Sequence, residues 1–141
     1  MLKQIKCCTV IVAVLAAPGF LLADDLTNSS KFLCSVNVAT LCLADGECEI
    51  GMPWTWNIPE FIEVDLGRNT LATTKASGEA RSTPIRNLQR EGQQIMLQGV
   101  EGGRAFSIAV QETTGWASFA VAAEGFTISA FGTCTPLASK R

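Results

Sequence analysis

The sequence predicts an all-β domain, an antiparallel up-and-down meander of about eight strands that forms a closed or nearly closed barrel. Three runs of alternating apolar residues, Gln94 to Val100, Arg104 to Gln111 and Trp116 to Ala123, are joined by short turns that contain glycine. Such turns fold each strand back onto its neighbour. The positions of the cysteines then favour contact between the first strand and the last. A two-layer β-sandwich is the alternative.

The first residues are typical of a secretory signal peptide over 1–23. Lys3 and Lys6 precede an apolar stretch from Cys7 to about Leu22, and Ala23 stands just before an acidic pair. This stretch is short for a membrane span and is soon followed by polar residues. We expect export to the periplasm or the medium, with no membrane attachment after cleavage. An uncleaved membrane anchor is the alternative.

Behind the signal peptide we expect a single β domain over 32–136, with a flexible segment at 24–31 and a polar tail at 137–141. The 11 basic residues of the chain, less Lys3 and Lys6, leave nine against 13 acidic residues. No basic stripe of the kind that contacts phosphate groups is visible. The composition therefore argues against nucleic acid as a partner.

The first strand is predicted over Phe32 to Leu43, where apolar residues alternate with polar ones. Side chains alternate between the two faces of a strand, so Cys34 and Cys42 should point the same way. Val36 and Val38 share that parity. The pattern therefore predicts that both thiols lie on the core side of the first strand.

Four cysteines follow residue 23, and an even number in a small exported domain favours disulfides. Ala44-Asp45-Gly46 is typical of a three-residue hairpin loop, and counting outward through it sets Cys42 against Cys48. We therefore predict a Cys42–Cys48 bond, which leaves Cys34 for Cys134. A Cys34–Cys48 pair or free thiols would be the alternatives.

The predicted Cys34–Cys134 bond joins the first strand to the last. In an open meander these strands would be the two edges, so the bond requires the sheet to curl until they meet. A barrel satisfies this requirement directly. A sandwich could also bring the two strands together.

Two tryptophans lie in a loop that contains two prolines, Pro53-Trp54-Thr55-Trp56-Asn57-Ile58-Pro59. If the loop is locally extended, Trp54 and Trp56 project on one side. One interpretation is a ligand lid or a hot spot for a protein partner. The other is a hydrophobic plug that closes one end of the barrel.

The middle of the chain contains less regular strand signals. We predict strands over Glu60 to Leu66 and Thr70 to Thr74, a flexible loop over Lys75 to Thr83, and a weak strand over Pro84 to Arg90. Glu63 and Asp65 point outward from the first of these strands. Solvated strand-face carboxylates of this kind are far commoner than catalytic pairs.

The last strands have one apolar face and one face without charge. Phe106, Ile108 and Val110 share the first face, and in the last strand the core-facing positions are Phe126, Ile128, Ala130 and Cys134. The opposite face carries small uncharged residues, among them Ala105, Ser107, Ala109, Ser118, Ala120, Thr127, Ser129 and Thr133. Trp116 and Phe131 lie among them. Exposed uncharged patches tend to mark contact surfaces.

The chain contains no histidine and no tyrosine. This absence removes the Ser-His-Asp and Cys-His arrangements, the histidine-ligated metal sites and the commonest general base. The cysteines also lack the C-x-x-C spacing that would favour zinc over disulfides. We therefore expect a non-catalytic protein with no cofactor and no metal ion.

Three features together resemble small uncharacterised exported β-proteins of Gram-negative bacteria. They are Cys34, Cys42 and Cys48, the Leu97-Gln98-Gly99-Val100-Glu101-Gly102-Gly103 turn and the closing Gly132-Thr133-Cys134. More distantly, the up-and-down pattern is similar to lipocalin-like barrels, including periplasmic inhibitors of metalloproteases. The first resemblance implies export and carries no mechanism.

We therefore expect a secreted binding or interaction module, with Trp54, Trp56, Trp116 and Phe131 as candidate binding residues. The partner would be a protein or a small apolar ligand. A carrier with an apolar cavity inside the barrel is one alternative. A protease inhibitor is another, for which Asp24 to Lys31 would supply the reaching arm.

Overall fold

The structure is a computed structural model that describes residues 25–77 and 80–138. It is an antiparallel all-β fold with ten strands among these residues. The strands are β1 (Lys31–Leu43), β2 (Cys48–Gly51), β3 (Phe61–Asp65), β4 (Thr70–Thr73), β5 (Ser82–Pro84), β6 (Asn87–Glu91), β7 (Gln94–Glu101), β8 (Arg104–Gln111), β9 (Trp116–Ala123) and β10 (Phe126–Pro136). Short 3₁₀ helices span Pro53–Trp56 and Lys75–Ser77.

The strand order in the sheet is β5-β4-β3-β1-β10-β9-β8-β7-β6, and β2 pairs with β1 beside β3. The first and last strands therefore meet, as predicted, and they form the longest ladder of the sheet. The predicted closed or nearly closed barrel is confirmed only in part: the sheet curls into a half-barrel whose edges are β5 and β6. Among the described residues no ladder joins these two edges.

The two edge strands are consecutive in the chain, and the residues between them cross the gap. The amide of Ile85 donates to the Asn69 carbonyl at 2.8 Å, and the amide of Arg86 donates to the Gln98 carbonyl at 2.8 Å. The connection thus bonds to both sides of the opening. Because β5 has only three residues and ends on Pro84, which has no amide hydrogen, it offers little backbone for a closing ladder.

The meander from β7 to β10 matches the predicted runs, apart from an extra residue at the end of β7. Of the weak strand predicted over Pro84 to Arg90, Asn87 to Arg90 belong to β6, whereas Pro84 ends β5 at the opposite edge of the sheet. Five of the nine residues of the segment predicted as a flexible loop also form regular structure, since Lys75–Ser77 is helical and Ser82 and Thr83 belong to β5. The strand count is accordingly ten rather than about eight.

A bulge in β1 changes which side chains face the core. The register shifts between Val36 and Val38, opposite Gly132 of β10. One extra residue in a strand reverses the alternation beyond it. Cys34 and Val36 are buried as predicted, whereas Val38 is 43% exposed and Cys42 lies on the outer side. The prediction that both thiols of the first strand face the core was therefore wrong.

Both predicted disulfides are present. Cys34 and Cys134 are directly paired across β1 and β10 and are 0% and 1% exposed, so their bond lies in the core. Cys42 bonds to Cys48, which is its direct partner across β1 and β2 and is exposed. The two bonds lie on opposite faces of the sheet because the bulge separates the two cysteines of β1.

The segment before β1 differs from the predicted flexible N-terminus. The Leu26 side chain is fully buried, and the Leu26 amide donates to the Glu112 carbonyl at 2.7 Å. A side-chain hydrogen bond from Thr27, together with one from its backbone amide, lowers the pKa of the Asp25 carboxyl. The predicted signal peptide at 1–23 lies outside the described residues, as do positions 139–141 of the predicted tail.

The core lies on the concave side of the curled sheet. Its members are apolar residues that alternate along β1, β3, β4 and β7 to β10, with Leu26, Ile58 and Ile85 added from the connections. The predicted inward residues Ile108, Val110, Ile128 and Ala130 are among them. The convex side has no second layer within the described part of the chain. This arrangement leaves two surfaces on which a site could form.

Candidate functional site

The convex side of the sheet carries a surface without charged side chains, which we call the neutral face. It consists of the outward positions of β7 to β10, of β2, and of β1 from Ser35 to Cys42. Alternation and the strand register place small uncharged residues side by side across it. Thr40, Ser129, Ala120 and Ser107 form one row, and Ser118 and Ala109 lie next to each other in the neighbouring row. The charge-free face predicted from the sequence is therefore exposed to solvent.

Four large apolar side chains form a diagonal line across the neutral face. Val38 stands directly opposite Phe131, and Trp116 lies two residues from Phe131's partner on β9. At the opposite end of the line, Ile50 of β2 is the direct cross-strand partner of Thr40, and Thr40 lies two residues after Val38 in β1. Diagonal neighbours of this kind are within reach of aromatic and long side chains. We call these four residues the apolar stripe.

The members of the apolar stripe are open to solvent. Ile50 is 73% exposed, Trp116 64%, Phe131 57% and Val38 43%. The two indoles of the proline-rich loop and the segment 25–30 do not cover this face, since Trp56 and Leu26 pack into the core and Trp54 lines a separate cavity. The predicted binding candidates Trp116 and Phe131 thus belong to one continuous exposed feature, and the structure adds Val38 and Ile50 to it.

The other two predicted binding residues do not join the apolar stripe. Pro53–Trp56 is a 3₁₀ helix, so Trp54 and Trp56 do not project on one side as an extended loop would require. Trp56 packs on the core, with its ring against Gly51. Trp54 is 57% exposed and lines a cavity of about 240 Å³ together with Pro59 and Ser77.

A second cavity, of about 90 Å³, lies on the concave side of the sheet, and we call it the concave cavity. Its walls are mostly apolar and come from β3, β4 and β8 to β10. Ile62, Leu71, Phe106, Ile108, Phe119 and Ile128 are the large apolar residues that line it. Phe106 reaches this position because its cross-strand partner is Gly99, where an added Cβ would lie 2.5 Å from the ring.

Three charged side chains also line the concave cavity. Arg81 pairs loosely with Glu101, with 3.9 Å between Nη1 and Oε1, and its Nη2 donates to the Asn57 carbonyl. Arg104 donates from Nη1 to the Trp56 carbonyl at 2.9 Å and stands over the Phe126 ring at 5.6 Å. Neither of these Arg104 partners is an anion, so among the described residues that line this cavity two guanidinium groups accompany one carboxylate.

Sequence reasoning did not single out Arg81, Glu101 and Arg104 as site residues. Glu101 and Arg104 flank the Gly102-Gly103 turn, and their position at the ends of β7 and β8 was the only local signal. Arg81 comes from a segment predicted to be a flexible loop. Glu101 and Arg104 are direct partners across the β7–β8 turn, and Arg81 joins them because the sheet curls and brings β5 near β7.

The geometry defines a disulfide-bonded, curled antiparallel β domain with a neutral convex face and a small apolar cavity on its concave side. Disulfides of this kind are typical of oxidising, extracellular-type environments. No protein-family model matches the chain, and no curated protein matches it in sequence. In residues 25–77 and 80–138 we find no helix long and apolar enough to cross a membrane.

Proposed function

We propose that the protein is an exported, non-catalytic interaction module that contacts another protein through its neutral face. The observation that carries the proposal is the apolar stripe, in which Ile50, Val38, Phe131 and Trp116 lie side by side and exposed. Isolated exposed apolar residues are ordinary on protein surfaces, whereas a contiguous line of them is typical of contact sites.

The size of the neutral face supports a protein as the partner. The five longer strands, β1 and β7 to β10, spaced by about 4.8 Å and each contributing about 25 Å of length, give roughly 600 Å², to which the short β2 adds a little. A specific interface of ordinary size covers about 800 Å² on each partner. The neutral face is thus large enough to provide most of such an interface, with Phe131 in its interior and Trp116 at the start of β9 as the anchors that hot spots require.

The absence of charge on the neutral face determines which kind of partner surface can bind to it. A buried partner charge would lose its hydration and find no opposite charge here, which is costly. The hydroxyl groups of residues such as Ser118 and Ser129 can instead pair with uncharged polar groups. The matching surface is therefore uncharged, with an apolar centre and hydroxyl or amide groups around it.

The test is site-specific photo-crosslinking in the host. A photoreactive amino acid at position 118, beside Trp116 and Phe131, should give one discrete adduct, whereas the same group at Arg68 should give none. Arg68 suits the control because its side chain is 82% exposed and lies in the turn after β3. Equal adducts from both positions would contradict the proposal.

The identified partner is then purified and titrated with three forms of the protein. Replacing both Trp116 and Phe131 by Asp should weaken binding by about 30-fold or more, since loss of a hot-spot residue costs about 2 kcal/mol or more. Arg68→Glu should leave the dissociation constant unchanged. Unchanged binding by the double variant, with its melting temperature preserved, would refute the neutral face as the contact surface.

The protease-inhibitor alternative has less support. It needs an arm over Asp24 to Lys31 that reaches into an active site. Within the described residues this segment is anchored, because the Leu26 side chain is fully buried and Ser29 hydrogen-bonds back to Leu26. An inhibitory arm would have to release Leu26 from the core first.

A further inference from the structure

We infer that the concave cavity is a binding site for a small monocarboxylate with a short apolar tail. The inference does not depend on the proposed contact surface, since the cavity lies on the opposite side of the sheet from the neutral face. It rests on the apolar walls, the volume of the cavity and the arginines that line it.

The walls of the concave cavity determine the tail of the ligand. Phe106, Ile108, Phe119 and Ile128 present carbon atoms to the space, and Ile62 and Leu71 face them from β3 and β4. An apolar space of this kind favours methylene groups over water. The ligand therefore has an unbranched or slightly branched hydrocarbon end.

The volume of the concave cavity limits the length of that tail. An apolar cavity of about 150 Å³ holds one benzene molecule. The concave cavity, at about 90 Å³, is smaller than that. It therefore accommodates a tail of about three to four carbon atoms, if each carbon occupies slightly less than the roughly 30 Å³ of a water molecule.

The arginines determine the head group. Arg104 is only partly exposed, and its described partners are the Trp56 carbonyl and the Phe126 ring. Glu101 is its direct cross-strand neighbour, but within the described residues the Glu101 carboxylate pairs with Arg81 and Arg104 forms no ion pair. Arg81 shares its charge with Glu101 across 3.9 Å. A carboxylate matches the planar fork of a guanidinium group and gains charge-assisted hydrogen bonds from it. One carboxylate would balance the charge of Arg104.

The position of Glu101 leads to a second prediction about the same ligand, separate from that for the arginines. Its carboxylate lies beside Arg81 and repels an incoming anion. Replacing Glu101 by Gln removes this repulsion and the competition for Arg81. The Glu101→Gln variant should therefore bind the monocarboxylate more tightly than the wild type, an effect opposite in direction to that of an arginine substitution.

The experiment is a methyl NMR titration of the whole protein with three probes of equal length: butyrate, 1-butanol and butylammonium. Butyrate should shift the Ile62, Ile108 and Ile128 methyl signals in a saturable way. Butanol should bind about tenfold more weakly, since a charged hydrogen bond contributes at least that much, and butylammonium should not bind. Arg104→Gln should weaken butyrate binding by about tenfold or more.

Arg68→Gln is the matched control, because Arg68 is a solvent-exposed arginine outside the cavity and its loss should change nothing. The melting temperature of each variant shows whether it is folded. If Arg104→Gln does not fold, the Glu101→Gln variant still tests the carboxylate site, because the proposal requires it to bind butyrate more tightly than the wild type does. Equal binding of butyrate and butanol would overturn the carboxylate site, and unshifted isoleucine methyls at tens of millimolar butyrate would overturn the cavity as a site altogether.

Discussion

The two faces of one sheet differ in what they present to solvent. The concave side carries the core, the charged residues of the concave cavity and a buried disulfide. The neutral face carries no charge, a line of exposed apolar side chains and the exposed Cys42–Cys48 bond. The same strands build both faces, so the difference comes entirely from which positions of each strand point which way.

The bulge in β1 determines how residues divide between the two faces. Without it, Cys42 and Val38 would face the core with Cys34, as simple alternation predicts. With it, Val38 joins Phe131 on the neutral face and the second disulfide leaves the core. One inserted residue thus brings Val38 into the apolar stripe and places the two disulfides on opposite faces. Matched substitutions on each face therefore test the comparison.

The largest expected loss of stability follows from removing one of the two disulfides. The Cys34–Cys134 bond closes a loop with a sequence separation of 100, and the Cys42–Cys48 bond closes one of 6. The chain-entropy model gives about 4.7 kcal/mol for the long loop and about 2.4 kcal/mol for the short one. Replacing Cys34 and Cys134 by Ala should therefore lower the free energy of unfolding, measured in urea, by roughly 2 kcal/mol more than replacing Cys42 and Cys48 by Ser.

The access of a reductant to each disulfide provides an independent check on the same pair of bonds. Under a mild reductant, followed by alkylation and mass spectrometry, Cys48 and Cys42 should be labelled before the buried Cys34 and Cys134. Equal losses of stability together with simultaneous reduction would show that the two bonds do not differ in the way the structure implies.

The next prediction compares the loss of stability at two aromatic residues of β9 that point to opposite faces. Phe119 is 6% exposed and Trp116 is 64% exposed. Phe119→Ala should cost about 3–5 kcal/mol, because it leaves a space in the core. Trp116→Ala should stay within about 0.5 kcal/mol, since an exposed side chain loses few contacts. Thermal and urea unfolding measure both values, and a large loss for Trp116→Ala would mean that the neutral face is covered.

The smallest effect concerns the backbone contact that accompanies the bulge. An added Cβ at Gly132 would collide with the Ser35 carbonyl oxygen, which is backbone and cannot move aside easily. Gly132→Ala should therefore cost about 1–3 kcal/mol. The matched control is Gly67→Ala, where the nearest atom is the Asp65 carboxylate at 3.5 Å and the change should have little effect. Equal unfolding midpoints for the two variants would contradict this role of Gly132.

Much of the fold follows from local patterns. The strands β7 to β9 were predicted almost to the residue, because alternation and glycine turns act within a few positions of each other. The Cys42–Cys48 pair was also predictable, since the Asp45-Gly46 turn sets its register. The bulge was not, because it depends on how β1 meets Gly132, a residue that lies nearly the whole domain away in sequence.

The candidate sites were predictable to different degrees. The neutral face followed from residue types in three neighbouring strands, and Trp116 and Phe131 were named from it. Val38 and Ile50 were missed, because their places depend on the bulge and on the pairing of β2. An apolar cavity was considered only as an alternative, and its charged residues were missed, since Arg81 reaches Glu101 and Arg104 only when the sheet curls.

The pairing of β1 with β10 has a consequence for how the chain folds during synthesis. The first strand of the sheet is made early, yet its longest ladder cannot form until the last strand has been made. Contacts between such distant segments slow folding, and an unpaired strand edge can meet other chains in the meantime. The hairpins from β7 to β10 can assemble locally. We therefore expect β1 to join last and to complete the domain.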